Sequence, residues 1–275
     1  MLARFPETLL FSVAALVIAT SACSRVAEEP TASVEEIPPA RTSFSEETPP
    51  APKPDADEIP PARTSYMGRE IAQTMHYLGA EWLIRENREN EERCSAMLAN
   101  LGVMPGMTVC DMGCGNGFYS IELGKRVEAQ GRVLCVDIQP EMLELLGKRA
   151  KEADVTNLQP ILGTVVDPKL PEGEVDLILC VDVYHEFSHP EIMLQAMRRS
   201  LKKDGLLVLL EYRAEDPDVP IKKRHKMSKA QVSKELVPNG FKLVREYDGL
   251  PWQHMMFFGR DDHTESKPAA ERNGR

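Results

Sequence analysis

The chain reads as an α/β protein, a three-layer sandwich with helices on both faces of a mostly parallel, seven-stranded sheet. Three observations predict it. Short apolar runs of strand length alternate with helical apolar stripes over most of the chain. One run, ending at Asp111, leads into three glycines at alternating positions, Gly113, Gly115 and Gly117. Glycines at that spacing let the backbone turn sharply and let a ligand approach the main chain. A further run, Arg132 to Asp137, ends in an acid 20 residues past Gly117, where a carboxylate can hydrogen-bond a ribose diol. Between the two, Phe118 to Ala129 is free of proline and apolar at Ile121, Leu123 and Val127, the pattern of a crossover helix.

The later elements follow in the same order. Leu158 to Gly163 is expected as the third strand, Val175 to Val181 as a fourth, apolar but for Asp176, and Gly205 to Glu211 as the fifth. Asn239 to Arg245 and Gln253 to Phe258 read as two closing strands. Helical stripes run over Glu141 to Glu152 and Glu191 to Leu201, and Lys202-Lys-Asp-Gly205 supplies the basic last turn and glycine stop of the latter. Ahead of the first strand, Met67 to Asn100 reads as one or two helices carrying His76, Trp82, Arg85 and Glu92.

A bare glycine turn is as readily punctuation as a binding loop, and nicotinamide-binding proteins share the strand, turn, helix, strand and acid. Their turn is usually GxGxxG, whereas Asp111, Gly113, Gly115 and Gly117 match D-x-G-x-G-x-G at every defined position. Over roughly residues 67 to 260 the chain resembles a class I S-adenosylmethionine-dependent methyltransferase. That ligand has no pyrophosphate, so an acid beside the turn can face its cationic groups rather than repel phosphate.

The resemblance implies an antiparallel last strand and an N-terminal helical lid over Met67 to Asn100, although packing against the sheet explains that segment equally well. Pro251 to His254 has the same two readings. S-adenosylmethionine is the expected cofactor. Asp111, Gly113, Gly115 and Gly117 would line its methionine part, Asp137 its ribose hydroxyls and Ile138 its adenine, with Cys114, Asn116 and Cys180 also counted in the cofactor site. Thr164 and Val165 match a region that contacts the adenine edge, with the acid common there displaced to Asp167. The segment Cys180 to Glu186 matches the region beside the transferable methyl. In it His185 is the candidate base, against the plainer reading that it caps or packs at the strand end. Glu211 and Tyr212 are further candidates for the pocket, Glu211 as a catalytic group. The expected partner is a small-molecule methyl acceptor, such as a quinone-like ring, a lipid or a small amine.

His185-Glu-Phe-Ser-His189 also spells HExxH, which on a continuous helix holds zinc between two histidines with Glu186 as base. Pro190 directly after His189 and a strand directly before His185 argue against that helix, so no metal ligands are assigned there, an incidental or regulatory metal site being a less remote alternative than a zinc protease. A metal-dependent hydrolase using His185, Glu186 and His189 is the weakest alternative. A cofactor-fold domain kept only for binding is another.

Residues 9 to 22 form an apolar stretch of signal-peptide length, and Thr20-Ser-Ala-Cys23 resembles a bacterial lipobox. The reading is a signal peptide over 1–22, a lipidated Cys23, and a membrane-anchored, extracytoplasmic protein. Against it stand a threonine where leucine is usual and a sparse basic flank. An ordinary secretion signal or N-terminal anchor is the alternative, with a cytoplasmic location if the signal is not processed. Ser24 to Arg63 holds nine prolines, no glycine, and nine acids against four bases, a composition that cannot bury a core. Residues 23–65 are therefore expected as a disordered tether, 66–260 as the folded domain and 261–275 as a disordered tail. Within the tether, Glu36 to Ser43 recurs unchanged as Glu58 to Ser65, either as a duplicated spacer or as a linear docking motif.

The formal net charge is -10, about half of it contributed by the tether. Nucleic acid is not an expected partner, because the only basic concentration is Lys222 to Lys226 with Lys229. Five cysteines remain if Cys23 is lipidated, and no pair has zinc-ribbon spacing. Cys110, Cys135 and Cys180 fall inside expected strands and serve there as small apolar residues.

Overall fold

Successive residues of a strand face opposite sides of a sheet, and in the central strands of this protein both sides are apolar. The computed structural model describes residues 59–262. It opens with a hairpin of β1 (Ser65–Tyr66) and β2 (Arg69–Glu70), a 3-10 helix Tyr77–Ile84, and two short helices, α1 (Arg88–Glu92) and α2 (Cys94–Leu101). The alternating core follows as β3 (Thr108–Met112), α3 (Phe118–Val127), β4 (Arg132–Asp137), α4 (Pro140–Glu152), β5 (Leu158–Leu162), β6 (Val175–Val181), α5 (Pro190–Ser200) and β7 (Leu201–Arg213). After it come β8 (Lys226–Met227), α6 (Lys229–Leu236), β9 (Phe241–Tyr247) and β10 (Gln253–Arg260).

The sheet order is β5-β4-β3-β6-β7-β10-β9, with β8 paired to the end of β7. β3 to β7 run parallel, and β10 lies antiparallel to both β7 and β9. The seven expected strands and the reversed last strand are present, and two-residue β8 is an eighth too short to show a period. β5 is an edge strand, which is where Pro160 can sit without breaking a ladder.

Strand residues divide between two cores. Cys110, Met112, Ile178, Cys180, Leu207 and Leu209 pack with Met193 and Leu194 of α5 and Val232 of α6. Val109, Val133, Cys135, Leu179 and Leu210 pack on the other face with Met97 of α2, Leu123 and Val127 of α3, and Leu146 of α4. Each fully buried Val or Leu contributes about 1.5–3 kcal/mol, so the three layers are held mainly by this two-sided burial. The five cysteines among the described residues are all buried free thiols, as their positions in apolar runs imply.

Three expectations need correction. Lys202 to Gly205 is not a helix stop: α5 ends at Ser200, and β7 begins immediately at Leu201, opposite Val175, with the register shifting before Leu177. Lys202 pairs with Asp176, and a Cβ on Gly205 would come within 2.8 Å of the Val175 carbonyl. Gly205 is therefore set by close backbone approach. Met67 to Asn100 is less helical than expected, with a hairpin and a 3-10 segment before the short α1 and α2. Finally, residues 59–65 lie along the domain: Arg63 N donates to Ser188 O, and Arg63 pairs with Glu191. The leader, Cys23, the first octapeptide copy and residues 263–275 lie outside the described residues. Among the described residues no helix is long and apolar enough to cross a membrane.

Candidate active site

The glycine turn joins β3 to α3, and its geometry explains its residues. Gly113, Gly115 and Gly117 have φ of 70°, 53° and 80°, a left-handed region that side chains disfavour. A Cβ on Gly113 would overlap Val183, and one on Gly115 would overlap Leu83. Gly113 N and Cys114 N both donate to Val136 O at 2.8 and 3.0 Å. The turn is thus stitched to β4, whose last residue is Asp137. The Asp137 carboxylate accepts from Gly115 N and from Gln139 N, each at 2.9 Å. Burial raises its pKa, and these backbone donors pull it down.

Gln139 also ties the N-terminal segment across the site, accepting from Tyr77 N and donating to Met75 O, each at 2.9 Å. Asn116 Nδ2 donates to Ala80 O at 2.9 Å. The stretch from Thr74 to Leu83 accordingly roofs a cavity of about 1120 Å³ at the C-terminal ends of the parallel strands. That is where an open α/β sheet binds ligands.

The cavity wall includes Gly113, Gly115, Asp137, Ile138, Thr164, Val165 and His185 from the sequence-derived set, with Tyr212. Asp111, Cys114, Asn116, Gly117, Cys180 and Glu211 lie outside that wall. Asp111 sits beneath α3 and accepts from Ser120 Oγ at 2.6 Å, and burial pushes its carboxyl up to about 6. Cys114 and Cys180 belong to the two cores. Gly117 caps α3 against Leu146, and Asn116 holds the roof.

On the β6 and β7 side, His185 is 2% exposed and lies in a short 3-10 turn, Tyr184–Glu186. Its Nδ1 is 2.6 Å from Glu211 Oε2, and its Nε2 is 3.1 Å from His225 Nδ1. A carboxylate only accepts, so Nδ1 carries the proton and the neutral ring keeps its lone pair on Nε2. Burial lowers the His185 pKa, but the charge and hydrogen bond of Glu211 outweigh it and hold the ring above its ordinary 6.5. Glu186 stands beside it with a pKa of about 7, raised by burial and held back by His185.

The HExxH reading fails on the second histidine. His189 is not on a helix with His185; it immediately precedes Pro190 of α5. Its ring nitrogens meet Pro60 O at 2.7 Å and Ser188 Oγ at 2.9 Å, so it anchors the segment before β1.

Among the wall residues that sequence reasoning did not single out, His225 and Asp182 carry the most chemistry. His225 comes from a 3-10 turn 40 residues beyond His185, and no local pattern joins them. Asp182, at the end of β6, has φ 49°, accepts from Gln253 Nε2 at 2.7 Å, and leaves its buried Oδ1 without a partner among the described residues. Burial and the neighbouring Glu92 and Glu211 raise its pKa well above the ordinary value. An acid directly after an apolar strand was the available signal.

A profile describing a methyltransferase domain matches residues 104–260. The chain belongs to this methyltransferase domain family. Similarity to individual members is more distant. A demethylmenaquinone methyltransferase of Staphylococcus aureus (strain MRSA252) is 28% identical over 170 residues, covering 60% of this chain and 68% of that one. An (S)-coclaurine N-methyltransferase of Thalictrum flavum subsp. glaucum is 25% identical over 105 residues, covering 38% of this chain and 28% of the relative. Among solved structures, a SAM dependent methyltransferase from Aquifex aeolicus superposes with a TM-score of 0.64 at 24% identity, covering 67% of this chain and 98% of that one. The methyltransferase family's mostly parallel sheet with a reversed last strand is therefore the architecture of this chain, and the glycine turn and His185 both lie within the matched residues.

Proposed function

We propose that the protein is an S-adenosylmethionine-dependent methyltransferase whose acceptor is a small molecule with a proton on its nucleophilic oxygen or nitrogen. The observation that carries this reading is one cavity joining the glycine turn and Asp137 to the His185–Glu211 pair. Its volume of about 1120 Å³ exceeds the roughly 300–1,000 Å³ of a pocket for a single drug-sized ligand, which leaves room for cofactor and acceptor together.

The residues fit the cofactor. The turn keeps its backbone open where a Cβ would fill the space, and Asp137 retains lone pairs beyond the two given to backbone donors. Ile138, 39% exposed, offers a flat base an apolar surface. Bound there, S-adenosylmethionine supplies an electrophilic methyl group on a sulfonium. Methyl transfer mainly requires alignment with a nucleophile, and the remaining need is removal of the acceptor's proton.

His185 Nε2 meets that need. An acceptor whose O–H or N–H replaces the His225 hydrogen bond delivers its proton to Nε2, and Glu211 stabilises the imidazolium so formed. Glu211 acts on the ring rather than on the acceptor. The relative named for a quinone-type substrate supports a ring-bearing acceptor.

Incubating the full chain with methyl-labelled S-adenosylmethionine and a panel of quinols, catechols and small amines tests the reading. Label is expected in at least one acceptor together with S-adenosylhomocysteine. Tight cofactor binding with no transfer to any small molecule, but label in a protein or nucleic acid, would reject the acceptor class.

A further inference from the structure

We propose that His185, Glu186 and His225 bind a divalent transition metal of the zinc class in the wall of this cavity. Each offers one ligand atom, and the three lie within 4.8 Å of one another. His185 Nε2 is 3.1 Å from His225 Nδ1 and 3.9 Å from Glu186 Oε1. Two nitrogens bound to zinc at about 2.0–2.1 Å with a tetrahedral angle stand about 3.3 Å apart. The histidines therefore need to move only slightly to share an ion.

The surroundings match such a site independently. A histidine that ligates through one ring nitrogen usually donates the other N–H to a carboxylate, which fixes the ring and strengthens the ligand. Glu211 makes that contact to His185 Nδ1 at 2.6 Å. Two imidazoles and a carboxylate suit zinc and iron(II), and three protein ligands leave a position open toward the cavity. Lys222 and Arg224 flank His225 but are exposed to solvent, which screens their repulsion. Arg69, which donates to His185 O, is neutralised by Glu235. Glu186 thus reaches the ion directly, and Glu211 acts on it across the His185 ring.

The HExxH string supplies two ligands in this arrangement, and the third is His225 instead of His189. Binding requires His225 to shift its proton from Nδ1 to Nε2, a tautomer change with no net proton loss. The metal then occupies the lone pair that His185 would use to take the acceptor's proton. Metal binding itself does not depend on the proposed reaction. Its consequence does: an occupied site silences His185 as base.

Titrating metal-free full-length protein with cobalt(II), read by visible absorption, tests the site. One equivalent is expected to give the bands of a four-coordinate ion, bleached by zinc and without the near-ultraviolet thiolate band of a cysteine ligand. His225→Ala and, separately, Glu186→Gln should lose the bands while keeping the wild-type circular dichroism. Glu211→Gln should weaken binding about 10–100-fold, and His189→Ala should retain the bands. Absence of stoichiometric cobalt binding, or bands unchanged in both folded ligand variants, would overturn the proposal. Either result leaves S-adenosylmethionine binding by the same samples to judge the methyltransferase reading separately.

Discussion

Replacing His185 with alanine is expected to cut methyl-transfer turnover by about 10²–10⁴-fold, the usual contribution of a positioned base, while cofactor affinity stays unchanged. The split follows from geometry. Asp137 and the glycine turn belong to β3 and β4, whereas His185 and Glu211 belong to the β6 and β7 side. Glu211→Gln gives a second readout. With Glu211 present the His185 pKa lies above 6.5, and a base works only when deprotonated, so the acid limb of the rate profile should fall above that value. Removing the charge leaves burial, which lowers the pKa, so the limb should move to lower pH as the maximal rate falls. A pH profile for Glu211→Gln that falls in amplitude without moving would contradict the assigned role.

The largest stability effect is expected at Glu92. Its side chain is fully buried yet accepts from Arg85, from Arg88 Nε at 2.8 Å and from Tyr212 Oη at 2.7 Å. Two guanidinium groups thus converge on one carboxylate, joining α1 to β7. Breaking a buried ion pair by removing one partner costs about 3–5 kcal/mol, because the other charge remains without compensation. Glu92→Ala should therefore lower the melting temperature by roughly 10 °C in a domain of this size. Scanning calorimetry checks this, and a shift of only a degree or two would show that solvent reaches and compensates Arg88.

Much of this molecule is local in sequence, and that part was legible. The strands from Thr108 to Val181 announce themselves as short apolar runs and helices α3 to α5 through a period of 3.6, and Gly113, Gly115 and Asp137 through spacing. What was not legible depends on contacts across the fold. Glu211 reaches His185 over 26 residues and His225 reaches it over 40, and no pattern within one element links them. Asp111 has the right position in the motif, but its side chain falls on the α3 face of β3, which only three-dimensional packing decides. HExxH was legible as a false match, because Pro190 and the strand before His185 rule out the helix its spacing requires, and a short turn stands there instead. Lys202 to Gly205 misled because a strand can begin directly where a helix ends.

Isothermal calorimetry of the full-length protein with S-adenosylmethionine reads the cofactor site itself. One site per chain is expected, weakened about tenfold or more by Asp137→Ala through loss of charge-assisted hydrogen bonds worth about 1.5–3 kcal/mol. No measurable binding to the folded wild type, or equal affinity in Asp137→Ala, would contradict it.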